Sequence, residues 1–224
     1  VKKALGKNFL GPAEWKAKGI EVGEVPPIPS SITKALLNSE CPLHPGEKIK
    51  DTHILMLVPK TVNGEPYTAF KLDELCATRK GSGEALLNPD YKEWKEMSWA
   101  STPQPESEWV LIPKSDPDRS KVPAEKHFRS KQIAAQQQVH DEYYSEYREV
   151  RALEVITMAL LNDMVNGEPR ILDGWNYLRC VEPNASGGRV CVGRFAADGL
   201  EVSDDVGAGD YDGVGRALAR KLKT

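Results

Sequence analysis

Four side chains able to bind metals or carry acid–base and thiol chemistry fall within one short stretch, "CPLHPGEKIKDTH": Cys41, His44, Asp51 and His53. These are zinc-ligand types, but a single Cys-x-x-His without a second pair is half of a zinc site. A thiol nucleophile is the other chemistry to weigh, with Cys41 one of four cysteines that could serve. Cys41 would need an imidazole base, and His53, His127 and His140 are the histidines to weigh, with an acid to orient whichever serves. The chain has four cysteines, so the sequence leaves the pairing open. A Gly-x-Ser-x-Gly elbow and a His-Glu-x-x-His helix are both absent. Acid pairs such as Glu146 and Glu149 share a helical side as solvent-facing carboxylates often do, so none is singled out for glycosidase chemistry.

The second concentration of chemistry is the tail, "EVSDDVGAGDYDGVGRALARKLKT". Placing Asp210, Asp212 and Gly213 at the third, fifth and sixth positions of an EF-hand loop puts Ala208 at the first and Ala219 at the twelfth. Calcium needs oxygen at both ends. What remains is a looser candidate set, Asp204, Asp205, Asp210 and Asp212, beside the plainer reading of a solvated acidic loop. Gly207, Gly209 and Gly213 imitate a dinucleotide loop, but nine residues after Gly215 leave no room for the ribose-binding acid. The neighbouring acids would also repel a pyrophosphate. No cofactor is expected, with calcium and zinc kept as the two metals to test. The basic residues Arg216, Arg220, Lys221 and Lys223 close the chain.

Contact residues form a third group. Trp94 and Trp99 stand in loop-like sequence, where an aromatic either plugs the core or meets a partner. Adjacent tyrosines on a helix diverge by about 100°, so Tyr143, Tyr144 and Tyr147 cannot all enter one core, and Tyr143 and Tyr144 are candidate contacts.

These groups need a scaffold, and 224 residues suffice for one. Size scaling implies burial of about 72% of the extended surface, enough for a core without metal or disulfide. The net charge is −3 and provides no field for a polyanion, so nucleic acid is not expected as a partner. No apolar run approaches the length of a membrane span. The sequence opens at Val1, as a trimmed chain would. A cytoplasmic location is favoured, with secretion the alternative if an upstream signal has been removed. Cys180 and Cys191, on adjoining strands, would either face each other as a bridge or sit as half-buried thiols, and the reducing case is preferred.

Residues 1–30 read as an arm ending in the proline-rich "GEVPPIPSS", with a short helix from Pro12 to about Gly19. Residues 31–224 read as a single domain. Ser30 or Ser31 is expected to cap a helix through "ITKALLNS". "THILMLVP" is apolar enough for a central strand and, across Asn63-Gly64, predicts a hairpin of 52–59 with 66–70. "KLDELCATRK" predicts a helix and "EWVLIPK" a second buried strand. Residues 124–140 have helical composition. Tyr143, Tyr147, Val150, Leu153, Thr157, Leu160 and Met164 predict a long amphipathic helix closed by Asn166-Gly167. From residue 168 the period falls to two, predicting three short antiparallel strands. The order strands, helices, strands favours an α+β fold with an antiparallel or mixed central sheet and packed helices.

"CPLHPGEKIKDTHILMLVPKTVNGEPYT", "SEWVLIPK", "GWNYLRC" and "GGRVCVGRF" together resemble a family of bacterial proteins without an assigned activity, over roughly residues 20–221. This implies bacterial origin and no residue roles. "WNYLRC", "GGRVCVGRF" and "GVGRALARK" resemble the closing part of C-type-lectin-like domains. The function expected is non-catalytic binding of a protein or small ligand, or a structural role, in a soluble protein. A hydrolase or other enzyme using Asp, His or Cys is the alternative. A pocket joining His53 or His127 to Cys or Asp would favour the enzyme, and an open aromatic surface would favour binding.

Overall fold

Six consecutive buried residues, His53–Val58, can be satisfied only by a strand covered on both faces and paired on both edges. The computed structural model, which describes residues 1–77, 87–88, 93–114, 146–167, 171–172, 177–184, 188–204, 214–216 and 218–223, places this run inside a mixed sheet. Its strands are Phe9–Leu10 (β1), Glu40–Cys41 (β2), His44–Lys48 (β3), His53–Val58 (β4), Thr61–Val62 (β5), Glu65–Pro66 (β6) and Glu108–Pro113 (β7) in the first half. Tyr147–Glu149 (β8), Tyr177–Pro183 (β9), Arg189–Ala196 (β10), Gly199–Asp204 (β11), Val214–Arg216 (β12) and Leu218–Arg220 (β13) follow. Helices span Lys2–Leu5 (α1), Pro12–Ala17 (α2), Lys34–Asn38 (α3), Ile49–Thr52 (α4), Ala69–Ala77 (α5), Ser98–Ser101 (α6) and Ala152–Asn166 (α7). The fold is α+β, with a five-stranded sheet in the order β1-β4-β7-β13-β8 and a four-stranded sheet in the order β11-β10-β9-β12.

The helix α7 packs against β4 of the first sheet and β9, β10 and β11 of the second. Every residue from Ala152 to Asn162 is buried, the condition of a helix apolar on all sides. The stripe predicted from Tyr143 onward is therefore corrected at its N-terminal part. Tyr147 lies in β8, pairing with Arg220 of β13, and the helix begins only at Ala152. Two carboxylates fix that start. Glu154 accepts from the Arg151 backbone N–H at 2.8 Å, and Glu182 accepts from the Ala152 N–H at 2.8 Å. A long-range strand pair and a distant cap leave no trace in local periodicity.

The first thirty residues are not an arm. β1 runs parallel to β4, Leu10 and Trp15 are fully buried, and Trp15 Nε1 donates to the Leu57 carbonyl at 3.1 Å. A two-residue strand is too short for its alternation to be read. Residues 52–59 likewise do not pair with 66–70: β4 lies between β1 and β7, and Asn63-Gly64 instead turns the small β5–β6 hairpin. Both turn residues have positive φ, 50° and 81°, the geometry that favours Asn-Gly. The cap of α3 is Thr33, whose Oγ1 accepts from Leu36 N at 3.0 Å, and not Ser30 or Ser31.

The three antiparallel strands of the C-terminal part are β9, β10 and β11. Cys191 pairs in register with Arg179, not with Cys180. Successive strand residues point to opposite faces, and accordingly Cys180 enters the main core while Cys191 packs with Tyr177 on the other side. Both are free, and both are fully buried rather than half-buried. Burial pushes the Cys180 thiol upward, away from thiolate chemistry. No described helix is long and apolar enough to cross a membrane.

Candidate functional site

The fold brings two of the candidate catalytic residues together. Cys41 ends β2 and His53 opens β4, with the Cys41 Sγ 4.0 Å from His53 Nδ1. Thr52 Oγ1 is nearer, at 2.9 Å from the same nitrogen, and the Tyr147 hydroxyl lies 3.1 Å from Nε2. Thr52 Oγ1 also sits 3.1 Å from the Lys48 carbonyl, which can only accept. The threonine hydrogen therefore goes to Lys48, and Nδ1–H of the imidazole donates to Thr52. Nε2 is then left to accept from Tyr147. In this arrangement neither ring nitrogen is a base for Cys41.

Cys41, His53 and Tyr147 all have no exposed surface. Burial, reinforced by the nearby charges of His44, Arg220 and Lys114, pushes the His53 pKa from 6.5 down to about 3. The ring is neutral at any physiological pH. Burial also raises the Tyr147 phenol, so its proton stays in place as a donor. A thiol without a base and without an opening can do no substrate chemistry. The cluster is a satisfied polar network inside the sheet.

Cys41, His44, Asp51 and His53 do not converge as metal ligands: among the described residues no group of three or more His, Cys, Asp or Glu is placed to hold an ion. Asp204 ends β11, while Asp205, Asp210 and Asp212 lie outside the described residues, as do His127, His140, Tyr143 and Tyr144. Trp94 is 2% exposed and stacks on the partly buried Trp99, with ring centroids 6.1 Å apart. The exposed aromatic beside them is Phe70, 5.7 Å from Trp94.

Among the described residues an open concavity lies elsewhere, at the end of the first sheet where β7, β13 and β8 meet the proline-rich strap. It is a groove of about 650 Å³, within the range of small-molecule sites. Pro26, Pro27, Pro29 and Pro105 form its stiff apolar wall with Trp109. The strap is held in three places. Trp109 Nε1 donates to the Pro26 carbonyl at 2.9 Å, Gly23 N donates to the Thr61 carbonyl at 3.1 Å, and Ser31 exchanges hydrogen bonds with the Lys223 backbone. Fixed proline φ angles and these anchors pre-form the wall, so a ligand need not order it.

The polar lining includes Gln104, Glu108, Arg148, Arg220 and Lys221, with Glu106 and Ser107 beside them. Arg148 is braced from behind by the buried Glu154, whose Oε2 and Oε1 accept from Nη1 and Nη2 at 3.0 and 2.7 Å. Burial works to raise the Glu154 carboxyl, but the bond to Arg148 and the charges of Arg148 and Arg151 outweigh it and hold the acid below its usual range. Glu108 is paired with Arg151. Arg220 lies over the Tyr147 ring, 5.7 Å from its centroid, and gives one N–H to Glu146 at 2.6 Å and another to the Tyr147 hydroxyl. A guanidinium has five N–H donors in a planar fork, so Arg220 keeps donors for a carboxylate in the groove.

Arg220 and Lys221 appear in the sequence as part of a basic tail, with no sign that β13 is an inner strand of the sheet. Gln104, Glu108 and Arg148 carried no signal at all, since an isolated Gln or Arg has no motif. The one usable hint was "VPPIPS", because clustered prolines are rigid walls as well as helix breakers. Comparison with protein-family models, curated proteins and solved structures finds no match for this chain.

Proposed function

We propose that this chain is a non-catalytic binding protein whose ligand carries a carboxylate and lies in the strap groove. The observation that supports this most is the side-by-side placement of a stiff proline and tryptophan wall with the Arg148, Arg220 and Lys221 cations. The wall covers an apolar body, and a guanidinium fork matches a carboxylate with two parallel hydrogen bonds. The sealed Cys41–His53 pair argues in the same direction, because the groove lining includes neither residue.

The test uses N-acetyl-trialanine, a small carboxylate with an apolar body and no ammonium group. Its titration into protein labelled with ¹⁵N at tryptophan should move the Trp109 indole N–H saturably. Arg220→Gln should weaken that binding by about tenfold or more, the loss of one charge-assisted bond. An indole resonance that stays fixed at saturating peptide would refute the reading.

A further inference from the structure

The sealed histidine cluster and the groove share one side chain. Tyr147 of β8 stands directly opposite Arg220 of β13, and its hydroxyl is 3.1 Å from His53 Nε2. The Arg220 guanidinium donates to that same hydroxyl while lying over the ring. Tyr147 has no exposed surface, whereas Arg220 lines the groove. One phenol therefore connects a group no ligand can reach to the cation that would hold one.

The hydrogens along this connection can be placed in only one order. The carbonyls of Lys48 and Ile49, 3.1 and 3.4 Å from Thr52 Oγ1, can only accept, so the threonine hydrogen is committed to the backbone. Thr52 Oγ1 then accepts from His53 Nδ1–H at 2.9 Å, and Nε2 accepts from Tyr147. Arg220 can only donate, so its N–H meets a phenol oxygen whose own hydrogen is already turned inward. Reversing any one of these bonds would set two donors or two acceptors face to face, which is costly in a buried run.

Arg220 has a second partner, Glu146, at 2.6 Å, but that carboxylate is 63% exposed and an exposed ion pair holds its cation weakly. The buried phenol is the firmer anchor, because a charged donor on a buried acceptor makes one of the stronger hydrogen bonds. Resting on the reading of the groove as a carboxylate site, we propose that Tyr147 is the positioning residue of that site: its hydroxyl, held as an acceptor by His53 and Thr52, fixes one edge of the Arg220 fork so that the remaining N–H donors face the ligand. A carboxylate gains two parallel bonds at little ordering cost only when the fork is already aimed. A carboxylate that draws on Arg220 in turn weakens the bond to Tyr147 and, through the phenol, the bond that His53 Nε2 accepts. The His53 ring thus reports on a ligand it never touches.

Histidine labelled with ¹⁵N in the full chain reads this, with His53→Gln assigning the resonance. N-acetyl-trialanine should move the His53 Nε2 signal saturably toward that of a ring nitrogen accepting no hydrogen bond, with the same midpoint as the Trp109 indole. N-acetyl-trialanine amide, which has no carboxylate, should leave it in place. In Tyr147→Phe the preference for the acid over the amide should fall about fivefold, the factor of one lost hydrogen bond, whereas Glu146→Gln should keep it within twofold. A His53 signal that stays fixed in the unaltered protein while the Trp109 indole moves would overturn the positioning role and leave the carboxylate site standing, and so would an unchanged preference in Tyr147→Phe. If neither signal moves at saturating peptide, this inference and the function it rests on fall together.

Discussion

Acid should weaken this fold well above the range in which carboxylates protonate, and His53 is the reason. Its pKa falls from 6.5 to about 3 on folding because the ring is buried with no room for a charge. The unfolded chain therefore takes up the proton first as pH falls. The stabilisation is complete above pH 6.5 and is lost progressively as the pH descends toward 3, with a limiting slope of about 1.4 kcal/mol per pH unit. Between pH 8 and pH 5 the loss from this one group is about 2 kcal/mol, and any folded value well below 5 gives the same result over that window. Urea unfolding at pH 8, 7, 6 and 5 measures it, with His53→Gln as the comparison. Glutamine keeps polar atoms beside Thr52 and Tyr147 but cannot titrate. The other histidines are common to both proteins, so the difference in slope isolates His53. Parallel stability curves for the two proteins would refute the claim that this ring is sealed and neutral.

Three further outcomes follow from the same geometry. Tyr147→Phe leaves His53 Nε2 without its donor and should destabilise the protein by about 1–3 kcal/mol in urea melts. Glu154→Leu removes the buried partner of Arg148 and Arg151, leaving them Glu108 alone, and should cost about 3 kcal/mol, the low end for a broken buried pair, because the two arginine side chains are 34% and 31% exposed and solvent screens them in part. A thermal melt would read this as a fall of about 6–12 °C for a domain of this size. Cys41 should resist iodoacetamide in the folded protein and react only after unfolding, as mass spectrometry of its peptide would show; rapid native labelling would reopen the enzyme reading.

What could be read in the sequence was whatever is local and strongly patterned. "THILMLVP" and "EWVLIP" announce buried strands by unbroken apolar character, and the structure pairs them with each other as β4 and β7. The Asn63-Gly64 turn was legible from backbone chemistry, and the β9, β10 and β11 strands from their period of two. The register of residues 1–30 was not legible, because β1 is only two residues long and its parallel pairing with β4 depends on a contact across more than forty positions. The start of α7 was missed because a helix buried on every side carries no amphipathic signal to mark its ends. Cys41 and His53 stand among the candidate residues with their pairing open in the sequence, and they do meet, but burial decides what that meeting can do, and burial is a property of the assembled core. The groove was hidden for a simpler reason: its wall comes from residues 26–29 and 105–109, and its cations from 148 and 220–221, so no window of the chain contains it.

The groove's occupancy is most directly tested by a crystal structure of the protein with trialanine. The predicted result is peptide along the proline wall, with its carboxylate forked against Arg220. Peptide bound at another surface, or a groove empty at saturating concentration, would contradict the account.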